Sequence, residues 1–115
     1  MAQKSGKTEG KIKFEYEGEA YVLEFDRDSI VATEKGLGVS LADIAARKVS
    51  ALRDVFTGAF IKNHPGTSDD TIEAIWQSLG GKRELTAALS RMYGEGIQSL
   101  IGEPEKGKAI SWTVE

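Results

Sequence analysis

The stretch Lys11-Ile12-Lys13-Phe14-Glu15-Tyr16-Glu17-Gly18-Glu19-Ala20-Tyr21-Val22-Leu23-Glu24-Phe25 decides the fold. Apolar and polar residues alternate in it on both sides of an acidic, glycine-containing turn. Ile12, Phe14 and Tyr16 share one face of the first segment, with Lys11, Lys13 and Glu15 on the other. In the second, Tyr21, Leu23 and Phe25 face one way and Ala20, Val22 and Glu24 the other. Period-two alternation rich in aromatics specifies a half-buried antiparallel pair. Glu17-Gly18 supplies a residue tolerant of positive φ, which a tight hairpin turn requires. A hairpin is marginal alone in water, so its apolar face needs something to pack on.

The chain beyond Phe25 supplies that partner, because its apolar spacing turns helical. Asp26 or Asp28 caps a short helix through about Lys35, and Gly36 sits where helices commonly stop. After the loop Gly36-Leu37-Gly38-Val39, Ser40-Leu41-Ala42-Asp43 resembles a capping box with Asp in the Glu role. Leu41, Ile44, Ala45, Leu52, Val55, Phe56, Ala59 and Phe60 then recur at helical spacing. The polar interval Arg47-Lys48 marks a break, with Ser50 capping a second segment to about Lys62, and His64-Pro65-Gly66 ends it. Thr67-Ser68-Asp69-Asp70 opens the next helix, whose stripe is Ile72, Ile75, Trp76 and Leu79, and Gly80-Gly81 closes it. A further helix runs from about Lys82 to Tyr93 with Leu85, Leu89, Met92 and Tyr93 inward. Gly94 and Gly96 each cost about 1 kcal/mol inside a helix relative to Ala, which predicts a break before Ile97, Leu100 and Ile101.

The expected architecture is therefore α+β: an N-terminal antiparallel β-hairpin packed on four or five short helices. Residues 1–10 read as a flexible arm with almost no apolar content, and 11–103 as the single folded domain. Residues 104–115 read as a linker and a C-terminal tail. In that tail Ala109-Ile110-Ser111-Trp112-Thr113-Val114 alternates again, as a third strand or as an exposed docking strand. Trp112 is accordingly a core residue of that strand or an anchor for a partner.

At 115 residues the chain is long enough to bury a core, and 40% hydrophobic with 29% charged residues describes an ordinary globular domain. The front end has no apolar run resembling a signal peptide, and no segment approaches a membrane span. The absence of cysteine removes disulfides and thiolate ligands. A net charge of −3, with basic residues scattered as the short pairs Arg47-Lys48 and Lys82-Arg83, argues against a nucleic-acid binder.

No motif builds a persuasive active site. His64, the sole histidine, sits beside Pro65-Gly66 with no acid–base partner at a suggestive spacing. Gly36-Leu37-Gly38-Val39-Ser40-Leu41 carries two glycines of a dinucleotide fingerprint, but Leu41 holds the third position and the segment follows a helix. Glu15, Glu17, Glu19 and Glu24 read as solvent-facing strand carboxylates, and Asp69-Asp70 as helix N-terminal charges. No catalytic residue, cofactor site or metal site is expected.

A scattered pattern over roughly residues 10–115 resembles a known family. It comprises the hairpin, Thr33-Glu34-Lys35, Leu52 through Asn63-His64 and Leu85-Thr86-Ala87-Ala88-Leu89 to Met92-Tyr93. Leu100-Ile101-Gly102-Glu103-Pro104-Glu105 and Ile110-Ser111-Trp112-Thr113-Val114 complete it. The chain looks like the small tail assembly chaperones of tailed bacteriophages and prophages. That resemblance implies a non-enzymatic protein of the bacterial host cytoplasm. It would self-associate, bind the tape measure protein and help recruit tail tube subunits, without nucleic acid or membrane. Such a role needs apolar surface that accepts an amphipathic helix. Phe56, Phe60, Ile72, Trp76 and Trp112 are the candidate partner-binding residues. The competing readings are a structural tail-completion or head–tail connector protein and, from another class, a small DNA-binding regulator.

Overall fold

A computed structural model describes residues 10–101 and 110–114 of the chain. The alternating stretch forms strands β1 (Ile12–Tyr16) and β2 (Glu19–Leu23), paired antiparallel with Ile12 opposite Leu23, Phe14 opposite Tyr21 and Tyr16 opposite Glu19. Both turn residues are left-handed, Glu17 at φ 51° and Gly18 at φ 81°. That geometry matches the twist of the flanking strands. Five helices follow: α1 (Arg27–Leu37), α2 (Leu41–Ala45), α3 (Val49–Gly58), α4 (Asp69–Ser78) and α5 (Lys82–Ile101). The architecture is α+β, a two-stranded hairpin with five helices.

The hairpin register dictates how the sheet meets the helices. Tyr16 and Glu19 close the two-residue turn, so hydrogen-bonded pairs alternate outward from them, and the peptide groups of Val22 point away from β1. The end of α3 and the turns after it cover that outer edge. Val22 N–H donates to His64 Nε2 at 3.0 Å, Asn63 Nδ2 donates to the Val22 carbonyl at 3.0 Å, and Glu24 N–H donates to the Ala59 carbonyl at 3.3 Å. Glu24, expected as a solvent-facing strand residue, is instead half-buried just beyond β2. It accepts from Asn63 at 2.9 Å and pairs with Lys62 at 3.2 Å. Burial works to raise its pKa, and the Asn63 and Lys62 contacts outweigh that and lower it.

Helix boundaries follow local chemistry with four departures from the sequence reading. Asp26 caps α1 by accepting from Ser29 N–H at 2.8 Å, while Ser29 Oγ accepts from the Asp26 N–H, a capping box. The helix passes Gly36 and stops at Gly38, whose φ of 72° is the left-handed cap. Ser40 caps α2 by accepting from Asp43 N–H at 3.1 Å, while the Asp43 carboxylate pairs with Lys48 at 3.2 Å instead of completing the capping box. The break at Arg47-Lys48 is present, with Arg47 at φ 58°. Lys48 rather than Ser50 takes the N-cap position of α3, without a side-chain bond. The α-helical part of α3 ends at Gly58, and tight turns carry the chain to Asn63.

The fourth departure is α5, which runs unbroken through Gly94 and Gly96. Gly96 lies where a Cβ would overlap Ile30 of α1, so the glycine permits close helix–helix approach. The interior that this builds contains Leu23, Ile30, Val55, Phe56, Phe60, Ile72, Ile75, Leu89 and Tyr93. Each fully buried large apolar side chain contributes about 1.5–3 kcal/mol. Phe25 docks edge-on against Tyr93, with ring centroids 5.2 Å apart. Leu41 and Ala45, members of the helically spaced apolar series, are exposed on α2.

The third-strand alternative for the tail is not what forms among the described residues. The sheet has two strands, and residues 110–114 adopt no regular structure. Trp112 is 78% exposed and therefore not a core residue. The arm over residues 1–9 and the linker over 104–109 lie outside the described residues. Among the described residues no helix is long and apolar enough to cross a membrane.

Candidate functional site

The five residues nominated as partner-binding divide sharply. Phe56, Phe60 and Ile72 are 0%, 1% and 4% exposed. They are core residues and offer no surface to a partner, which corrects their nomination. The hairpin takes up Phe60, Phe60 and Trp76 flank Phe56, and Ile72 joins the same buried cluster. Phe14 stacks on Tyr21 at 5.2 Å, and Tyr21 meets Phe60 edge-on at 5.9 Å. Phe60 meets Phe56 at 5.2 Å, and Phe56 meets Trp76 at 4.9 Å. This aromatic relay begins at the strands and ends at a half-exposed Trp76 on α4.

Trp76 forms part of a cleft of about 360 Å³ between the start of α3, α4 and the start of α5. Val49, Leu52, Trp76, Lys82, Arg83 and Thr86 line it. Helix starts position the lining. The left-handed Arg47 turns the chain into α3 so that Val49 projects outward, 78% exposed. The Gly80-Gly81 link, with Gly81 at φ 65°, starts α5 so that Lys82 lies over Trp76.

The charged side chains that line the cleft are all basic. Lys82 Nζ is 5.2 Å from the Trp76 ring centre, and the Arg53 guanidinium is 5.8 Å from it. Cation–aromatic placements of this kind contribute about 0.5–2 kcal/mol. Arg53 is also tied to Glu73 at 2.8 Å, which joins α3 to α4 beside the cleft. The Glu73 carboxyl is held below its usual range, first by Gln77 and then by Arg53. Lys82 and Arg83 are the charged members of the lining, and no carboxylate belongs to it. An apolar floor with a cationic rim suits an apolar side chain carried on an acidic or neutral segment.

A second hollow, about 510 Å³, opens beside His64 and is lined among others by Glu19, Tyr21 and Ser68. Its polar groups are engaged in the fold. His64 Nε2 accepts from Val22, and Ser68 Oγ accepts from Thr71 N–H as the N-cap of α4. Burial, and then Glu19, push the Tyr21 phenol up. Among the described residues no group of three or more His, Asp or Glu side chains is placed to hold a metal ion.

Trp112 lies in the exposed C-terminal segment, flanked at alternate positions by Ile110 and Val114, which are 88% and 86% exposed. Sequence reasoning missed Val49, Arg53, Lys82 and Arg83. Their signal was faint: a lone valine after one basic pair, and a second basic pair that counted only as scattered charge.

No curated protein and no solved structure matches the chain. A family model does match it, over residues 1–115, and the chain belongs to that family, a domain of unknown function designated DUF5055.

Proposed function

We propose that the chain works by protein–protein binding in bacteriophage tail assembly, as a chaperone of the tape measure protein in the bacterial cytoplasm, with tail tube subunits as further partners. The observation that carries this reading is the Val49–Leu52–Trp76 cleft with Lys82 and Arg83 at its rim. It presents apolar surface between helix ends, and a ridge of apolar residues on an amphipathic helix fits such a groove. A long helical protein kept soluble before assembly exposes ridges of this type. The sequence resemblance to tail assembly chaperones supplies the identity of the partner. In this reading the protein has no catalytic step and uses no cofactor.

The test is co-expression with the tape measure protein of the same genome, followed by affinity capture and sizing. Co-purification that solubilises the tape measure protein, lost in Val49→Asp, supports the reading. Val49 is exposed, so that substitution leaves the core intact. Failure to associate, with the protein recovered instead in purified virions, would sink the chaperone reading and favour a structural tail component.

A further inference from the structure

The two edges of the hairpin are treated differently. The outer edge of β2 is closed by Ala59, Asn63 and His64. On β1, the register points the peptide groups of Lys13 and Glu15 outward, and among the described residues no backbone hydrogen bond reaches them. Side-chain burial shows the same asymmetry. Tyr21 and Leu23 on β2 are 6% and 0% exposed, whereas Ile12, Phe14 and Tyr16 on β1 are only partly covered. The apolar face of the sheet thus runs out before it is fully covered, on the side where the edge is open. Open edges of this kind template the addition of another strand.

The chain carries one segment suited to fill it. Ile110, Trp112 and Val114 alternate with Ser111 and Thr113, and in extended backbone the three apolar residues fall on one face. All three are more than three-quarters exposed. Placed beside β1, that face extends the row of Ile12, Phe14 and Tyr16, and Ser111 and Thr113 join the polar row of Lys13 and Glu15. Among the described residues of one copy the sheet holds only β1 and β2.

We infer that residues 110–114 of one copy add as a third strand to the open edge of β1 in a second copy, making the protein self-associate by strand addition. Main-chain hydrogen bonds to Lys13 and Glu15 supply the pairing, and Trp112 anchors it against the half-covered β1 side chains. The inference is independent of the tape measure reading and stands or fails without it.

The experiment is sedimentation of the full-length chain over a hundredfold concentration range, with amide exchange read at Lys13 and Glu15. Two variants separate the halves of the contact. Trp112→Ser removes the anchor from an exposed segment, where it cannot unfold the domain. Lys13→Pro removes an outward-pointing N–H, which an edge strand tolerates. The expected result is a concentration-dependent doubling of mass with slowed exchange at both amides. Each variant alone should be monomeric with an unchanged circular dichroism spectrum, and their mixture should form a one-to-one complex weaker than wild type. A wild type that stays monomeric overturns the inference, whether its β1 amides exchange freely or are protected at every concentration by its own tail. Association that survives Trp112→Ser overturns it too.

Discussion

Val22 and His64, forty-two residues apart, are joined by a 3.0 Å hydrogen bond from the Val22 N–H to His64 Nε2. It makes the sole histidine an edge cap for the sheet. His64 also packs its ring 4.9 Å from Tyr21, so one side chain satisfies the strand and covers it.

His64→Ala is therefore expected to destabilise the fold. A half-buried N–H left without a partner costs about 1–3 kcal/mol. Urea denaturation should show a lower midpoint with an unchanged slope, and amide exchange should accelerate first at Val22. A midpoint equal to wild type would show that water replaces the imidazole without penalty.

Gly58 and Gly96 are the described glycines where an added Cβ would overlap a side chain of another helix, and they should respond differently to alanine. A Cβ at Gly58 would overlap the Oγ1, Cγ2 and Cβ atoms of Thr33. Thr33 is fully buried and donates to the Ser29 carbonyl at 2.7 Å, so it cannot step aside. At Gly96 the nearest obstacle is the flexible Cδ1 end of Ile30. Gly58→Ala is expected to lose about 1–3 kcal/mol or more through overpacking. Gly96→Ala should lose less, since it gains about 1 kcal/mol of helix propensity. Thermal denaturation of both variants checks the order, and the reverse order would refute the packing argument.

What could be read from the sequence was local. The hairpin was legible because period-two alternation and Glu17-Gly18 define strands and turn without reference to the rest of the chain. The N-caps at Ser40 and Ser68 were legible for the same reason. The continuity of α5 was not, because the contact that offsets Gly96 is with Ile30, far away in sequence. The fate of Phe56 and Phe60 was hidden likewise: a helical stripe shows that a face is apolar, not whether a hairpin or a partner covers it. The cleft was the least legible feature, since Val49, Trp76 and Lys82 come from three helices whose crossing no single segment encodes.

Asp26 should make stability depend on pH. The Ser29 N–H holds its carboxyl below the usual range, and burial only partly opposes that. A folded-state pKa below the unfolded one means that the stabilisation is fully present above the unfolded value. It is lost as pH falls through the folded value. Asp26→Asn keeps a capping oxygen and removes the charge. Wild type should be the more stable of the two at neutral pH, and the difference should vanish in acid. Asp26→Ala should lose about 0.5–2 kcal/mol at neutral pH, the usual range for a lost N-cap. Denaturation midpoints measured across the acid range test both, and a gap between wild type and Asn that persists in acid would contradict the charge argument.

Tyr93 carries the reverse case, a polar atom whose removal should help. The residue is fully buried, and its hydroxyl finds no hydrogen-bond partner among the described residues. Burial, and then the charge of Glu34, push its pKa up, so the hydroxyl stays protonated and gains nothing from ionising. Its ring is held edge-on by Phe25, a contact that phenylalanine reproduces. Tyr93→Phe deletes an unsatisfied buried donor without changing the shape of the core. Replacing such a group by an apolar one recovers its desolvation penalty, about 1–3 kcal/mol at most. The variant is expected to unfold at a higher urea concentration than wild type. A loss of stability instead would mean that the hydroxyl is hydrogen-bonded in solution, and that a polar partner reaches the packing site between α5 and Phe25.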